Sequence, residues 1–140
     1  MLTLIKQLMQ VFEEKGQTIL GVQQVARENV NKYGIVSGEK LEEHLHLVKT
    51  LVEKPDVEIA PSNIAILGRY IITPDIFPIL EQTEPGAGLE IQLTDALKEL
   101  AKTKEVYAYE FSGCRYDVGD KLGFLKAYFE ITLDWQDIAK

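Results

Sequence analysis

A nearly continuous apolar run at residues 64–72 constrains the fold of this chain more than any other segment. Strands with one face in water alternate apolar and polar residues, whereas an unbroken apolar run is typical of a strand buried on both faces. Thr73 and Pro74 follow at once, and a threonine before a proline is a typical helix start. We therefore expect an α/β fold in which a short helix, reaching Leu80, follows this strand.

Strand and helix patterns alternate along the rest of the chain. Apolar residues at helical spacing before Gly16 predict a first helix: Ile5, Leu8, Met9 and Phe12. Further strands are predicted at residues 18–25, 34–36, 46–52 and 106–111, with a polar turn at residues 37–40. Two more amphipathic helices are predicted from Leu93, Ala96, Leu97 and Leu100, and from Leu122, Leu125, Phe129 and Leu133. We expect one domain over residues 1–140, with a mixed sheet flanked by helices.

Charge and cysteine content narrow the classes of partner and location. The chain has 22 acidic and 15 basic residues, a formal charge of −7, and no concentrated basic patch. This balance disfavours nucleic acids and anionic membrane surfaces as partners. The apolar runs are too short to cross a bilayer, the N-terminus lacks a signal-peptide pattern, and Cys114 has no second cysteine to pair with. A cytoplasmic location is therefore expected.

Two charged clusters at predicted strand ends are candidates for chemistry. Glu53 and Lys54 are adjacent before Pro55, and neighbouring strand residues point to opposite faces. One of them can therefore reach a sugar hydroxyl while the other reaches a phosphate, but composition alone favours a solvated strand end. Asp117 and Asp120 lie at a helix start, where one carboxylate can cap the helix and the other can bind Mg²⁺.

Three other features carry weaker signals. The glycines of residues 86–90 can bring backbone close to a ligand or simply form a turn. His44 and His46 share a strand face but lack a third ligand nearby, so we assign them no metal. The stretch before Gly34 contains neither GxGxxG nor GxxxxGK[ST], which places any main nucleotide site elsewhere.

An ordered set of segments resembles the bacterial UTP:glucose-1-phosphate uridylyltransferases. These segments are residues 19–25, 32–35, 52–55, 61–70, 86–96 and 115–121. The resemblance favours the uridylyl over the thymidylyl branch of sugar nucleotidyltransferases, mainly through residues 61–70 and 90–96. It implies a partial Rossmann-like nucleotide-diphospho-sugar transferase fold. It also implies an activity that forms UDP-glucose and pyrophosphate from UTP and glucose 1-phosphate.

The same resemblance implies roles for individual residues. It places against the substrate Tyr33, Gly34, Glu53, Lys54, Gly88 and Glu90. Among these, Glu53 would accept hydrogen bonds from glucose hydroxyls, and Lys54 would be the catalytic residue that binds the phosphate of glucose 1-phosphate. Asp117 would be one of two aspartates that hold Mg²⁺.

Two departures from the family pattern modify these expectations. Leu89 stands where the family loop Gly-x-Gly-Gly-Glu has its last glycine, so a clash with the sugar or a different turn is expected. The family's GxGTR-type nucleotide loop and its first metal aspartate precede the first helix in family order. We therefore expect this chain alone to be an inactive fragment of a homo-oligomeric enzyme. The alternatives are a non-catalytic sugar-phosphate-binding or assembly module and a glucose-1-phosphate thymidylyltransferase.

Overall fold

The computed structural model describes residues 3–133 and combines strands with helices in that range. Within that range the elements are α1 (Leu4–Lys15), β1 (Thr18–Gln24), β2 (Gly34–Glu42), β3 (Leu45–Glu53), β4 (Ile64–Ile71), α2 (Ile76–Gln82), α3 (Leu93–Thr103), β5 (Val106–Glu110) and α4 (Lys121–Leu133). Short 3₁₀ helices occupy Arg27–Lys32 and Ala87–Leu89. The predicted α/β class is confirmed, and α1 ends as expected at Gly16, which has a φ of 64°.

The strands pair in the order β1-β4-β2-β3-β5, and β5 returns to β1 to close a ring. The β1–β5 pairing is parallel and the others are antiparallel, so the predicted mixed sheet is confirmed. β2 meets β4 only at Ile64 and Ala65. Within the described residues, the rest of that side of β4 therefore has no partner strand. One sheet edge stays open there.

The β2–β3 hairpin connects two distant parts of the ring. Its base pairs with β4, while Leu45, His46 and Leu47 near its tip pair with β5. The polar turn predicted at residues 37–40 is wrong, because β2 continues to Glu42. Residues 37 and 38 instead mark a register shift, and a Cβ at Gly38 would overlap the backbone of the facing strand. The glycine thus serves a β-bulge, which bends the hairpin.

The sheet separates two apolar clusters, and β1 has side chains in both. Leu20 packs with α2 and α3, whereas Ile19 packs with α1. β1 is therefore a strand buried on both faces. Residues 64–71 form the predicted strand, but the expectation that both faces are buried is wrong, because Gly68 and Arg69 are exposed beside the open edge. Composition alone does not reveal that a partner strand is lacking there.

The beginning of α2 also differs from the sequence prediction. The hydroxyl of Thr73 lies 3.2 Å from that of Thr18, and the Thr18 hydroxyl accepts the backbone N–H of Thr73 at 3.0 Å. Thr73 therefore ties β1 to the end of β4 and does not cap the helix. Asp75 precedes the first helical residue instead.

Helix α4 carries apolar side chains that the rest of the described chain does not cover. Its buried residue is Ala127. Its exposed large apolar residues are Leu122, Phe124, Leu125, Tyr128, Phe129, Ile131 and Leu133. The apolar positions predicted from the sequence are thus helical but lie in solvent. Between residues 3 and 133, no helix combines the length and the apolar character that crossing a bilayer requires.

Candidate functional site

A carboxylate at the end of β3 is the centre of the candidate site. Glu53 pairs in register with Gly34 of β2. A Cβ at Gly34 would lie 3.1 Å from Oε2 of Glu53 and 3.2 Å from the hydroxyl oxygen of Thr94. The hydroxyl of Thr94, in the first turn of α3, donates a hydrogen bond of 2.6 Å to that same Oε2. A glycine opposite Glu53 therefore leaves the room that this hydrogen bond occupies.

Lys54 follows this carboxylate in an unusual backbone conformation. Its φ is 43°, which is uncommon for a residue that carries a Cβ. Its backbone N–H donates to the carbonyl of Tyr33 at 3.0 Å, and its side chain is exposed. β3 ends at Glu53, so strand alternation does not decide where Lys54 points. Strained non-glycine residues often accompany functional sites, where the surrounding structure holds them in place.

Tyr70 of β4 is a neighbour of this carboxylate that the sequence did not single out. Burial, and secondly the charge of Glu53, raise the pKa of the Tyr70 phenol above its ordinary value. The phenol therefore stays protonated beside the carboxylate and keeps a proton to donate. Tyr70 and Glu53 lie on different strands, so sequence spacing offered no signal for this electrostatic interaction.

Arg115 joins the second predicted cluster to the first. Its guanidinium donates to the Tyr33 hydroxyl at 3.1 Å and lies 5.2 Å from the centre of the Tyr33 ring. It also approaches Oδ2 of Asp117 at 3.4 Å. The chain of contacts from Tyr33 through Arg115 to Asp117 therefore brings the second carboxylate towards the Lys54 backbone.

The two carboxylates before α4 have different partners. Oδ1 of Asp120 accepts the backbone N–H of Gly123 at 2.8 Å, inside the first turn of the helix. Asp120 therefore serves the capping role that the sequence allowed for one of the pair. Oδ1 of Asp117 accepts the backbone N–H of Gly119 at 3.0 Å, and the side chain is exposed. Both carboxylates are exposed, so Asp117 keeps the accessibility that a metal ligand needs.

The donor set at Asp117 fits one ligand of a hard divalent cation and no more. Magnesium takes one or two carboxylates and completes its shell with phosphate oxygens and water. Across residues 3–133, the structure contains no group of three or more His, Cys, Asp or Glu side chains able to hold a metal ion. His46, one of the two histidines, instead lies 2.6 Å from Glu110.

The glycine loop before α3 contains two of the predicted substrate contacts. Gly88 and Glu90 are both exposed, and the Glu90 carbonyl accepts the backbone N–H of Gly86 at 2.9 Å. Leu89 has a φ of 61° and is 88% exposed, so its side chain projects into solvent. The loop joins the site through α3, since Thr94 contacts Glu53. No described contact links Gly88 or Glu90 to Glu53 itself in the part of the chain that the structure covers.

A cavity of about 360 Å³ lies beside the Arg115–Asp117 contact. Arg69 and Arg115 both line it, together with Asp117. Two guanidinium groups can attract phosphate oxygens and form paired hydrogen bonds with them. A larger cavity of about 580 Å³ lies between α2 and α3. Gly34, Glu53 and Thr94 do not line that larger cavity, so we assign it no role in the site.

Comparison with known proteins gives a consistent set of relatives. The chain is 50% identical over 129 residues to a UTP–glucose-1-phosphate uridylyltransferase of Staphylococcus epidermidis, and 52% identical to that of Staphylococcus haemolyticus. Each match covers 92% of this chain and 45% of the relative. The chain therefore spans about half the length of the curated relatives it matches.

Solved structures agree with this result. The match to a UDP-glucose pyrophosphorylase complexed with UDP-glucose covers 91% of this chain and 50% of the pyrophosphorylase chain. Its TM-score is 0.87 and the sequence identity is 46%. A UTP-bound enzyme of the same name from Acinetobacter baumannii matches 96% of this chain and 46% of its own, with a TM-score of 0.81 and 33% identity. A putative glucose-1-phosphate thymidylyltransferase from Bacillus anthracis, at 20% identity and a TM-score of 0.69, shares the fold.

These matches confirm the fold and the family that the sequence resemblance implied. A family model described as nucleotidyl transferase covers residues 3–137, which is nearly the whole chain. The chain belongs to the nucleotidyl transferase family.

Proposed function

We propose that this chain forms the sugar-phosphate half of a site that makes UDP-glucose and pyrophosphate from UTP and glucose 1-phosphate. The observation that carries the proposal is the junction of β2 and β3, where Gly34, Glu53 and Lys54 adjoin. Relatives at 50% identity are named for this reaction, and the thymidylyl relative is only 20% identical. Both facts favour uridylyl over thymidylyl transfer.

The proposed reaction requires positioning and charge neutralisation more than covalent help. An oxygen of the glucose 1-phosphate phosphate attacks the α-phosphorus of UTP, the bond from that phosphorus to the β-phosphate oxygen breaks, and pyrophosphate leaves. The exposed ammonium of Lys54 would offset negative charge on the attacking phosphate. Glu53 would accept hydrogen bonds from sugar hydroxyls.

The remaining predicted contacts complete this assignment. Tyr33 and the backbone of Gly34 would lie along the sugar, and Gly88 and Glu90 would approach the substrate from the loop before α3. Asp117 would offer one oxygen ligand to Mg²⁺, an ion that neutralises phosphate charge when bound. The exposure of the Asp117 side chain supports that role.

Calorimetric titration with glucose 1-phosphate, with and without Mg²⁺, tests the proposal. Lys54→Ala should abolish measurable binding. Lys49→Ala is the matched control, because Lys49 is an exposed lysine within β3, whereas Lys54 directly follows Glu53 at the end of that strand. Equal binding by all three proteins would exclude Lys54 as a phosphate ligand. Absence of binding by the unaltered chain would favour the non-catalytic assembly module, which Leu89 in the glycine loop also favours.

We also propose that the chain has no transferase activity by itself. Within residues 3–133, no group of three or more His, Cys, Asp or Glu side chains could hold a metal ion, and the sequence has no phosphate-binding GxGxxG or GxxxxGK[ST] loop for the nucleotide half of the reaction. The assay measures formation of UDP-glucose from UTP and glucose 1-phosphate by the pure protein. Turnover in that assay would refute this part of the proposal.

Association between copies is the expected quaternary state. The apolar residues of α4, such as Phe124 and Phe129, are 56% and 61% exposed, and among residues 3–133 the β2 side of β4 has no partner strand beyond Ala65. Exposed apolar surface and open strand edges both favour association, so we propose a homo-oligomer. Sedimentation equilibrium should show a species heavier than the monomer. The charge of −7 and the lone Cys114 support a cytoplasmic location without nucleic-acid or membrane partners.

A further inference from the structure

We propose that Thr94 is a positioning residue, which fixes the carboxylate of Glu53 in the orientation that receives the sugar. This inference rests on the proposed function, since it concerns the same sugar-binding carboxylate. The Thr94 hydroxyl donates to Oε2 of Glu53 at 2.6 Å, and Thr94 is only 8% exposed. It is the side-chain hydrogen bond that the structure records for Glu53 within residues 3–133.

A glutamate at a strand end needs such a partner to act as a defined acceptor. Its side chain rotates about three bonds, and ordering it on ligand binding lowers affinity. A hydrogen bond already made to Oε2 removes much of that freedom before the sugar arrives. Thr94 also lies in the first turn of α3, whose N-terminal end favours a nearby negative charge.

The surroundings of Oε2 indicate which oxygen remains for the ligand. Gly34 and Thr94 both adjoin Oε2, and any side chain at position 34 would crowd both of them. An ionised carboxylate has two acceptor oxygens. Thr94 therefore occupies Oε2 and leaves Oε1 as the principal acceptor for a sugar hydroxyl.

Two substitutions separate the hydroxyl of Thr94 from its shape. Thr94→Val keeps the branched side chain and removes the hydroxyl, whereas Thr94→Ser keeps the hydroxyl and removes the methyl group. By calorimetry, Thr94→Val should bind glucose 1-phosphate about 10-fold more weakly or worse, and Thr94→Ser should stay within about 3-fold of the unaltered chain. Unchanged binding by Thr94→Val would overturn the inference. Equal loss in both variants would also overturn it, because packing of the methyl group would then be the cause.

A spectroscopic measurement tests the inference independently of substrate binding. NMR three-bond couplings report whether the Glu53 side chain holds one rotamer or averages among several. A single rotamer in the unaltered chain and in Thr94→Ser, with averaging in Thr94→Val, is the expected result. Averaging in the unaltered chain would refute the positioning role. If the unaltered chain fails to bind glucose 1-phosphate, the proposed function fails, while these couplings still decide the role of Thr94.

Discussion

Replacing Leu89 by glycine should stabilise the chain, although it removes an apolar side chain. Leu89 has a φ of 61°, and two backbone hydrogen bonds of the loop hold it there. The Leu89 N–H donates to the Gly86 carbonyl at 3.1 Å, and the Gly86 N–H donates to the Glu90 carbonyl at 2.9 Å. A left-handed conformation costs a residue with a Cβ about 1–2 kcal/mol. Glycine avoids that cost but loses about 0.5–1 kcal/mol more backbone entropy on folding.

The loss of buried apolar area, which would oppose this gain, is small because Leu89 is exposed. Because the residue is 88% exposed, truncation sacrifices little buried apolar area. The net gain for Leu89→Gly is therefore about 0.5–1 kcal/mol in unfolding free energy, equivalent to a rise of roughly 3 °C in Tm. Urea denaturation followed by far-UV circular dichroism measures it.

Leu89→Ala is the control that isolates the backbone. Alanine keeps the Cβ and hence the strain, so this variant should change the unfolding free energy by no more than about 0.3 kcal/mol. An equal gain in both variants would show that loss of the exposed side chain is the cause. A destabilised Leu89→Gly would show that the loop is not held in the left-handed conformation, and the strain argument would be refuted.

Three further predictions concern the sheet and its buried polar groups. Gly38→Ala should lower the unfolding free energy by about 3 kcal/mol or more, because its Cβ overlaps the facing strand; an unchanged urea midpoint would contradict the bulge. Glu110→Ala should cost about 2–3 kcal/mol in the same assay, since the side chain of His46, 9% exposed, loses its partner at 2.6 Å. Above the ordinary tyrosine pKa, the unfolding free energy should fall as pH rises. Burial and the charge of Glu53 raise the pKa of Tyr70 in the folded chain, so the unfolded chain releases that proton first. Tyr70→Phe should reduce this slope in denaturation curves measured at several pH values.

The parts of the fold that local patterns specify were predictable from the sequence. Helical spacing followed by Gly16 predicts α1, and the glycine indeed has the positive φ that ends a helix. Gly38 shows where such local reasoning fails. Glycine is common both in turns and in β-bulges. The residues around Gly38 therefore predict a turn, although β2 continues through them to Glu42.

The candidate site was predictable only where its residues are neighbours in sequence or part of a family motif. Glu53 and Lys54 are adjacent, and the resemblance pointed to Gly34; the structure pairs Gly34 with Glu53. Thr94 of α3 donates to the same carboxylate, and the charge of Glu53 acts on Tyr70 of β4; only the tertiary fold creates these two interactions. The substrate and metal roles of these residues remain predictions for the experiments above.

The closed ring of strands also has a consequence for how the chain folds. β1 pairs in parallel with β5, so Thr18 must meet Val106 across most of the chain. Closing so long a loop is entropically costly and slows folding, in contrast to the local β2–β3 hairpin. Because β5 pairs with Leu45, His46 and Leu47 of β3, the tip of the hairpin should gain its second partner strand late. During synthesis, a nascent chain stopped before β5 leaves the ribosome should therefore have a formed hairpin but no closed ring of strands.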